Sequence, residues 1–311
     1  MPGSPAPVAL THVHDDRVAV AWDGGAAGIV TLFEYVYRPR GPAFEGSKPY
    51  LHPVRTLAGE VVTTFRPHDH RWHKGIQMTI AHLSGQNFWG GNTYVHGEGY
   101  VPLAEVGRMD HVRWHALGTA INGTAARLDH ELDWIASTGE RWISERRTWD
   151  LESVDPVGGW WSIRFRSTLT NVRGLDLELG SPTTHGRPMA GYGGLFWRGP
   201  RDFANPGATV LGPDGRTGAE MMGHAGRWLS FTGKHDGNDA VSTLLFINEL
   251  DSFRYPTEWF VRTADTPLVS VAPVFFTPHV MAPGDSIRLH HRIVIADRGW
   301  DRERVEAFVN A

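Results

Sequence analysis

Apolar and polar side chains alternate along most of this chain. Over residues 161–169, Trp161, Ile163, Phe165 and Leu169 share one face, while Ser162, Arg164, Arg166 and Thr168 take the other. Residues 127–134 repeat the pattern, with Leu128, Leu132 and Trp134 set against Asp129, Glu131 and Asp133. Ile287, Leu289, Ile293 and Ile295 alternate with Arg288 and Arg292. A period of two marks a strand with one buried face and one wet or ligand-facing face. The same reasoning predicts strands over 17–22, 29–38, 61–65, 75–82, 111–118, 141–151, 192–198, 241–248, 258–262 and 268–274. Turn chemistry separates them, at Asp23-Gly24-Gly25, Asn122-Gly123, Gly158-Gly159, Pro213-Asp214-Gly215, Asp236-Gly237 and Pro283-Gly284-Asp285. Many strands with close, glycine-rich turns predict an all-β fold, a large antiparallel β-sandwich. A short C-terminal helix is predicted from Asp301 to Val309, with Val305, Phe308 and Val309 on one side, capping one end of the sandwich. Three irregular stretches, 38–57, 85–102 and 199–227, are long for hairpins and suit a binding site built on a rigid scaffold.

Composition narrows the function classes. The 311 residues fit one domain, residues 1–311, because large β-sandwiches run to about 250 residues as a unit. A formal charge of −4 gives no electrostatic reason to expect nucleic acid or an anionic membrane surface as a partner. The absence of cysteine excludes disulfides, iron–sulfur clusters, thiolate zinc sites and cysteine nucleophiles. Met1 to Leu10 lacks the basic-then-apolar pattern of a signal peptide, and no run approaches the roughly 18 apolar residues of a membrane helix. The expected location is the cytoplasm.

Among 17 histidines, the densest group is Pro67-His68-Asp69-His70-Arg71-Trp72-His73-Lys74-Gly75, between two predicted strands. If the segment stays extended, His68 and His70 share a face, and a turn near Trp72 brings His73 to join them. Three imidazoles and a carboxylate can hold Zn²⁺, Mn²⁺ or Fe²⁺. They can equally relay protons without metal, with Asp69 fixing one ring's tautomer and Lys74 or Arg71 holding an anionic oxygen. The bland alternative is a set of solvated loop histidines. A second group, Asn87-Phe88-Trp89-Gly90-Gly91-Asn92-Thr93-Tyr94, offers aromatic faces and amides of the kind that hold a sugar ring, or ordinary core packing beside a Gly-Gly bend. In a third, Thr184-His185-Gly186-Arg187-Pro188 precedes Tyr192-Gly193-Gly194-Leu195-Phe196-Trp197-Arg198, where Arg187 and Arg198 can clamp a carboxylate or carbonyl oxygen. The fourth, residues 253–262, contains Glu258 as a possible general base beside Trp259.

In this order the segments resemble a family known by the label DUF6807, also called PmoA-like. The matching pieces are Lys48-Pro49-Tyr50-Leu51-His52-Pro53-Val54, Asp69-His70-Arg71-Trp72-His73-Lys74-Gly75, Tyr192-Gly193-Gly194-Leu195 with Arg198, residues 226–233, and Pro256-Thr257-Glu258-Trp259. The family's usual Asp-His-x-His-His-x-Gly is altered here, with Trp72 in place of the first histidine of the pair. The resemblance implies a β-supersandwich related to the galactose-mutarotase type, a carbohydrate as ligand, and a sugar oxidoreductase as a pathway partner. It thereby suggests an oxidised keto-sugar or glycoside as substrate.

The resulting expectation is a carbohydrate-active enzyme of lyase, hydrolase or epimerase type. His70 and His73 exchange protons, Asp69 orients one of them, and Lys74 and Arg198 stabilise developing oxyanion charge. Trp89 and Asn92 position the ring, with His68, His185, Arg187, Tyr192, Glu258 and Trp259 as further binding residues. No particular cofactor is indicated, and a divalent metal on His68, His70 and His73 is open. The competing readings are a non-catalytic carbohydrate-binding or accessory subunit and a metal-dependent oxygenase using those three histidines.

Overall fold

The computed structural model describes residues 8–120 and 123–311. The Asn122-Gly123 turn therefore falls partly outside the described residues. Two eight-stranded sheets dominate. The first runs, in spatial order, Val8–Val13, Arg17–Asp23, Ile29–Val36, Tyr50–Val54, Ile76–Thr79, Gly194–Arg198, Leu268–Ala272 and Glu258–Arg262. The second runs Thr209–Leu211, Trp228–Lys234, Val241–Asn248, Ser286–Ala296, Trp160–Asn171, Arg141–Asp155, Ala126–Ile135 and Arg108–Thr119. Neighbouring strands in both sheets pair antiparallel, as in Ile163 opposite Ile293 and Phe165 opposite Trp149. A three-stranded sheet of His279–Met281, Leu177–Gly180 and His82–Leu83 and a hairpin of Thr93–Val95 with Gly99–Val101 complete the strands.

Alternation explains how the sheets meet. Trp161 of the second sheet stacks on Phe33 of the first at 5.9 Å, and its indole N–H donates to the Arg55 carbonyl at 2.8 Å. Trp197 of the first sheet meets Phe231 at 5.0 Å and Phe246 at 5.9 Å. Fully burying a side chain of this size contributes at least 1.5–3 kcal/mol by rough area accounting. The outer face of the second sheet is covered by the helix Arg302–Asn310, whose Val305 and Val309 pack on Leu245, Ile247 and Val294. Asp301 caps that helix by accepting from the Arg304 N–H. Among the described residues no helix is long and apolar enough to cross a membrane.

Several predicted boundaries move. Residues 61–65 form no strand, because their backbone is shared among different partners. The Val62 N–H donates to Val54, the Thr64 N–H to Arg198, and Thr64 accepts from Gly75. The segment 75–82 divides into Ile76–Thr79 and His82–Leu83, which join different sheets. The strand predicted from Tyr192 begins at Gly194, where φ is +76° and a Cβ would lie 2.0 Å from the Val271 carbonyl oxygen.

Candidate functional site

Where Gly194–Arg198, Leu268–Ala272 and Glu258–Arg262 lie side by side, alternation sends Trp197, Val269 and Val261 into the inter-sheet core. The opposite face carries Arg198, Leu268 and Arg262 in one register row and Phe196, Ser270 and Phe260 in the next. Loops cover this outer face and create a second apolar cluster in which Trp89 joins Phe196, Phe260 and Leu268. A hollow of ≈ 410 Å³ opens there, within the roughly 300–1,000 Å³ of small-molecule sites. It is lined by His70, Trp72 and His73, by Trp89 and Asn92, and by Tyr100, Arg187, Tyr192 and Arg262. Phe260, Thr266 and Leu268 complete the lining.

The histidine segment turns rather than extends. The His70 N–H donates to Pro67 and the His73 N–H to His70, at 3.0 and 2.9 Å. These turns stack the His70 and His73 rings at 4.8 Å and 27°. They also send His68 elsewhere: it is exposed, and its Nδ1 accepts from Arg201 at 3.3 Å. The expected trio of His68, His70 and His73 is thus not assembled, since side chains two apart share a face only in an extended chain. Among the described residues no group of three or more His, Cys, Asp or Glu is arranged to hold a metal ion. Asp69 does approach His70, with Oδ2 3.2 Å from Nδ1, at an ion-pair distance whose angle is poor for a hydrogen bond. Its other oxygen accepts from Arg201 at 2.9 Å. Hydrogen bonds and the charges of His70 and Arg201 hold the Asp69 carboxyl below its usual range, against the effect of its partial burial.

His73 is buried, and loss of water holds its pKa well below the usual value, with His70, Arg198 and Lys48 adding to the effect. It is neutral at pH 7. Arg198 Nη1 lies 3.4 Å from His73 Nδ1. A guanidinium only donates, so Nδ1 must accept and the ring proton sits on Nε2. Among the described residues that Nε2 has no partner, and neither does the Trp72 indole N–H. Two buried donors without acceptors therefore belong to residues lining the hollow. Each orphaned donor costs about 1–3 kcal/mol unless water or a ligand accepts from it.

The structure moves two expected oxyanion partners out of the hollow. Arg198 is fully buried and lies behind His73, and burial brings its pKa down to about 10. Lys74 is buried against Glu45 at 3.0 Å, and Glu45 also binds Arg66. Their job is to hold the histidine segment against the Ala43–Glu45 turn. Lys48, equally buried, donates to Trp89 O at 2.7 Å and to two carbonyls of that turn. Asn87 Oδ1 accepts from the backbone of Trp89 and Gly90, each at 2.8 Å, which fixes the loop that carries Trp89. Gly91, with φ +72°, is needed because a Cβ there would lie 2.5 Å from the Trp72 ring.

Of the expected binding residues, Trp89, Asn92, Arg187 and Tyr192 line the hollow. Four others do not. His185 stacks on the buried His82 at 4.0 Å, and His68 faces Arg201. Trp259 is buried in the inter-sheet core with its indole donating to Gly226, and Glu258 lies beyond the lining, paired with Ala272. The sequence reading did not single out Trp72, Tyr100, Phe260, Arg262, Thr266 or Leu268. Phe260 and Arg262 were recoverable, since alternation sets them opposite the core residues Trp259 and Val261. Nothing local marks Tyr100, which reaches the site only through its hairpin.

Solved structures with a similar course include galactose 1-epimerase from Lactobacillus acidophilus NCFM, 7% identical, with a TM-score of 0.40, covering 96% of this chain and 100% of that one. The GH36 α-galactosidase AgaB from Geobacillus stearothermophilus is 10% identical with a TM-score of 0.40, covering 94% of this chain. An α-galactosidase from Lactobacillus brevis is 10% identical with a TM-score of 0.37, again covering 94% of this chain. The chain spans only 41% and 40% of the lengths of these two galactosidases. No curated protein matches the chain in sequence. One family model does, across residues 25–310, and the chain accordingly belongs to DUF6807, a family of unknown function.

Proposed function

We propose that the hollow takes a pyranose ring and that His70 and His73 perform acid–base chemistry on it. The observation that carries this reading is the stacked histidine pair, in which one ring is held neutral with a free N–H. Nε2–H of His73 donates to a carbonyl oxygen of the sugar and stabilises negative charge that develops there. His70 Nε2, which has no protein partner among the described residues, removes the proton from the adjacent carbon. The C–H electron pair moves into the carbonyl, and the proton returns on either face or a β-substituent departs. Arg198 is a positioning residue, because it fixes the His73 tautomer.

Epimerase- and lyase-type reactions fit this arrangement. Hydrolysis by a pair of carboxylates does not, since no Asp or Glu is among the residues lining the hollow. A ketone-bearing sugar implies a sugar oxidoreductase upstream. The aromatic walls of Trp89 and Tyr192, 4.5 Å apart, also favour a second reading, plain carbohydrate binding. The test is turnover of 3-keto-glycosides followed by mass spectrometry. His70→Ala and His73→Ala should each lower turnover by about 10²-fold or more with the fold intact. Wild-type turnover in both variants refutes the assignment, and calorimetric sugar affinity with no product supports the binding protein instead.

A further inference from the structure

Away from the histidines, the lining of the hollow has a charge that a neutral sugar does not need. Arg187 and Arg262 both line the hollow, and among the described residues no carboxylate lies within ion-pair distance of either. Many of the chain's arginines pair with carboxylates, as Arg141 with Asp133 and Arg146 with Asp129, although others outside the hollow, such as Arg302 and Arg304, lie over rings without one. Here each guanidinium lies on an aromatic ring instead, Arg187 at 4.7 Å over Tyr100 and Arg262 at 5.4 Å over Phe260. Such contacts hold the group in place without neutralising it. Arg187 also donates to the Tyr100 hydroxyl, which lies 2.8 Å from the Tyr192 hydroxyl. Tyr192 links the two, since its hydroxyl meets Tyr100 and its ring lies 5.4 Å from Phe260, so the aromatic partners of both arginines flank one residue of the lining. Buried Arg198 adds a third positive charge behind His73.

We infer that the ligand carries an anionic oxygen group, a carboxylate or a phosphate, bound between Arg187 and Arg262. This rests on the hollow being a sugar site. Trp89 spans the distance between the two ends, touching Tyr192 at 4.5 Å and His73 at 5.4 Å. The anion is therefore a recognition handle at the arginine end, and the reacting carbon lies at the histidine end. A cleft lined by one sign of charge focuses its field and favours a ligand of the opposite sign. Guanidinium groups match the planar geometry of carboxylate and phosphate oxygens.

The experiment is calorimetric titration of the full chain with methyl β-glucuronide, glucose 6-phosphate and methyl β-glucoside. The inference expects at least one acidic probe to bind about tenfold or more tighter than the neutral one, with affinity falling as salt rises. Which acidic probe wins identifies the handle. Arg262→Gln should remove most of that preference. Arg187→Gln provides the same reading should the first variant fold poorly, as judged by thermal melting. Equal affinity for acidic and neutral probes overturns the anionic handle but leaves the sugar site standing. Tight glucuronide binding undiminished in both variants also overturns it. If none of the three binds, the sugar reading and the handle fall together.

Discussion

Arg198 should weaken the fold while it serves the site. Its guanidinium is fully buried, and among the described residues Nε and Nη2 have no partner and no carboxylate pairs with it. Burial lowers its pKa from the usual arginine range to about 10. For a base, a folded pKa below the unfolded one penalises the charged form, and the penalty is fully present at any pH below the folded value. At pH 7 the penalty is about 3 kcal/mol, taking about 1.4 kcal/mol per tenfold change. Replacing Arg198 by Met removes it but leaves His73 Nδ1 without its donor, a loss of about 1–3 kcal/mol. The net expectation for Arg198→Met is unchanged stability or a gain of up to about 2 kcal/mol, read from urea unfolding midpoints. Turnover should nevertheless fall about tenfold or more, because the His73 proton is no longer confined to Nε2. Nitrogen NMR of the His73 ring should show the Nε2–H form in the wild type and a mixture of tautomers in the variant. A variant less stable by more than about 2 kcal/mol, with the ring unchanged, refutes this account of Arg198.

Two further outcomes follow from the same physics. Burial lowers His291 to about 3, and among the described residues both of its ring nitrogens lack partners, while His82 and His111 are lowered to about 4. The unfolded chain therefore takes up protons first as pH falls below about 6.5, and stability should decline between pH 6.5 and 4, with His291 alone contributing at most about 3 kcal/mol over that range. Urea midpoints that stay flat over that range would contradict it. Gly91→Ala forces a Cβ against the Trp72 ring and a non-glycine residue into φ +72°. It should cost about 1–3 kcal/mol in unfolding and weaken sugar affinity, and unchanged values on both counts would show that Trp72 does not hold the wall.

The architecture was legible because its strands are amphipathic and long. Trp160–Asn171 and Ser286–Ala296 carry their burial pattern in their own alternation, and Asp301 before Val305 and Val309 announces the helix. Tyr50–Val54 escaped notice, since His52 and Pro53 interrupt its alternation and its ladder depends on distant partners. At the site, local spacing identified the histidine segment but not its geometry. Whether His68 or His73 joins His70 is decided by two backbone turns that only the folded loop displays. The charge of Lys74 looked chemical in sequence, yet Glu45, 29 positions earlier, absorbs it. Arg198 belonged to the right group, but register places it behind His73 rather than in the open hollow.

The central claim is that His70 moves a proton on and off a sugar carbon while His73 steadies the neighbouring oxygen. Incubation of a 3-keto-glycoside in deuterated water tests it directly, with deuterium incorporation read by proton NMR. The account predicts enzyme-dependent labelling at the carbon beside the ketone by the wild type and its loss in His70→Ala. Epimerised product formed without any labelling, or equal labelling by the variant, would contradict it.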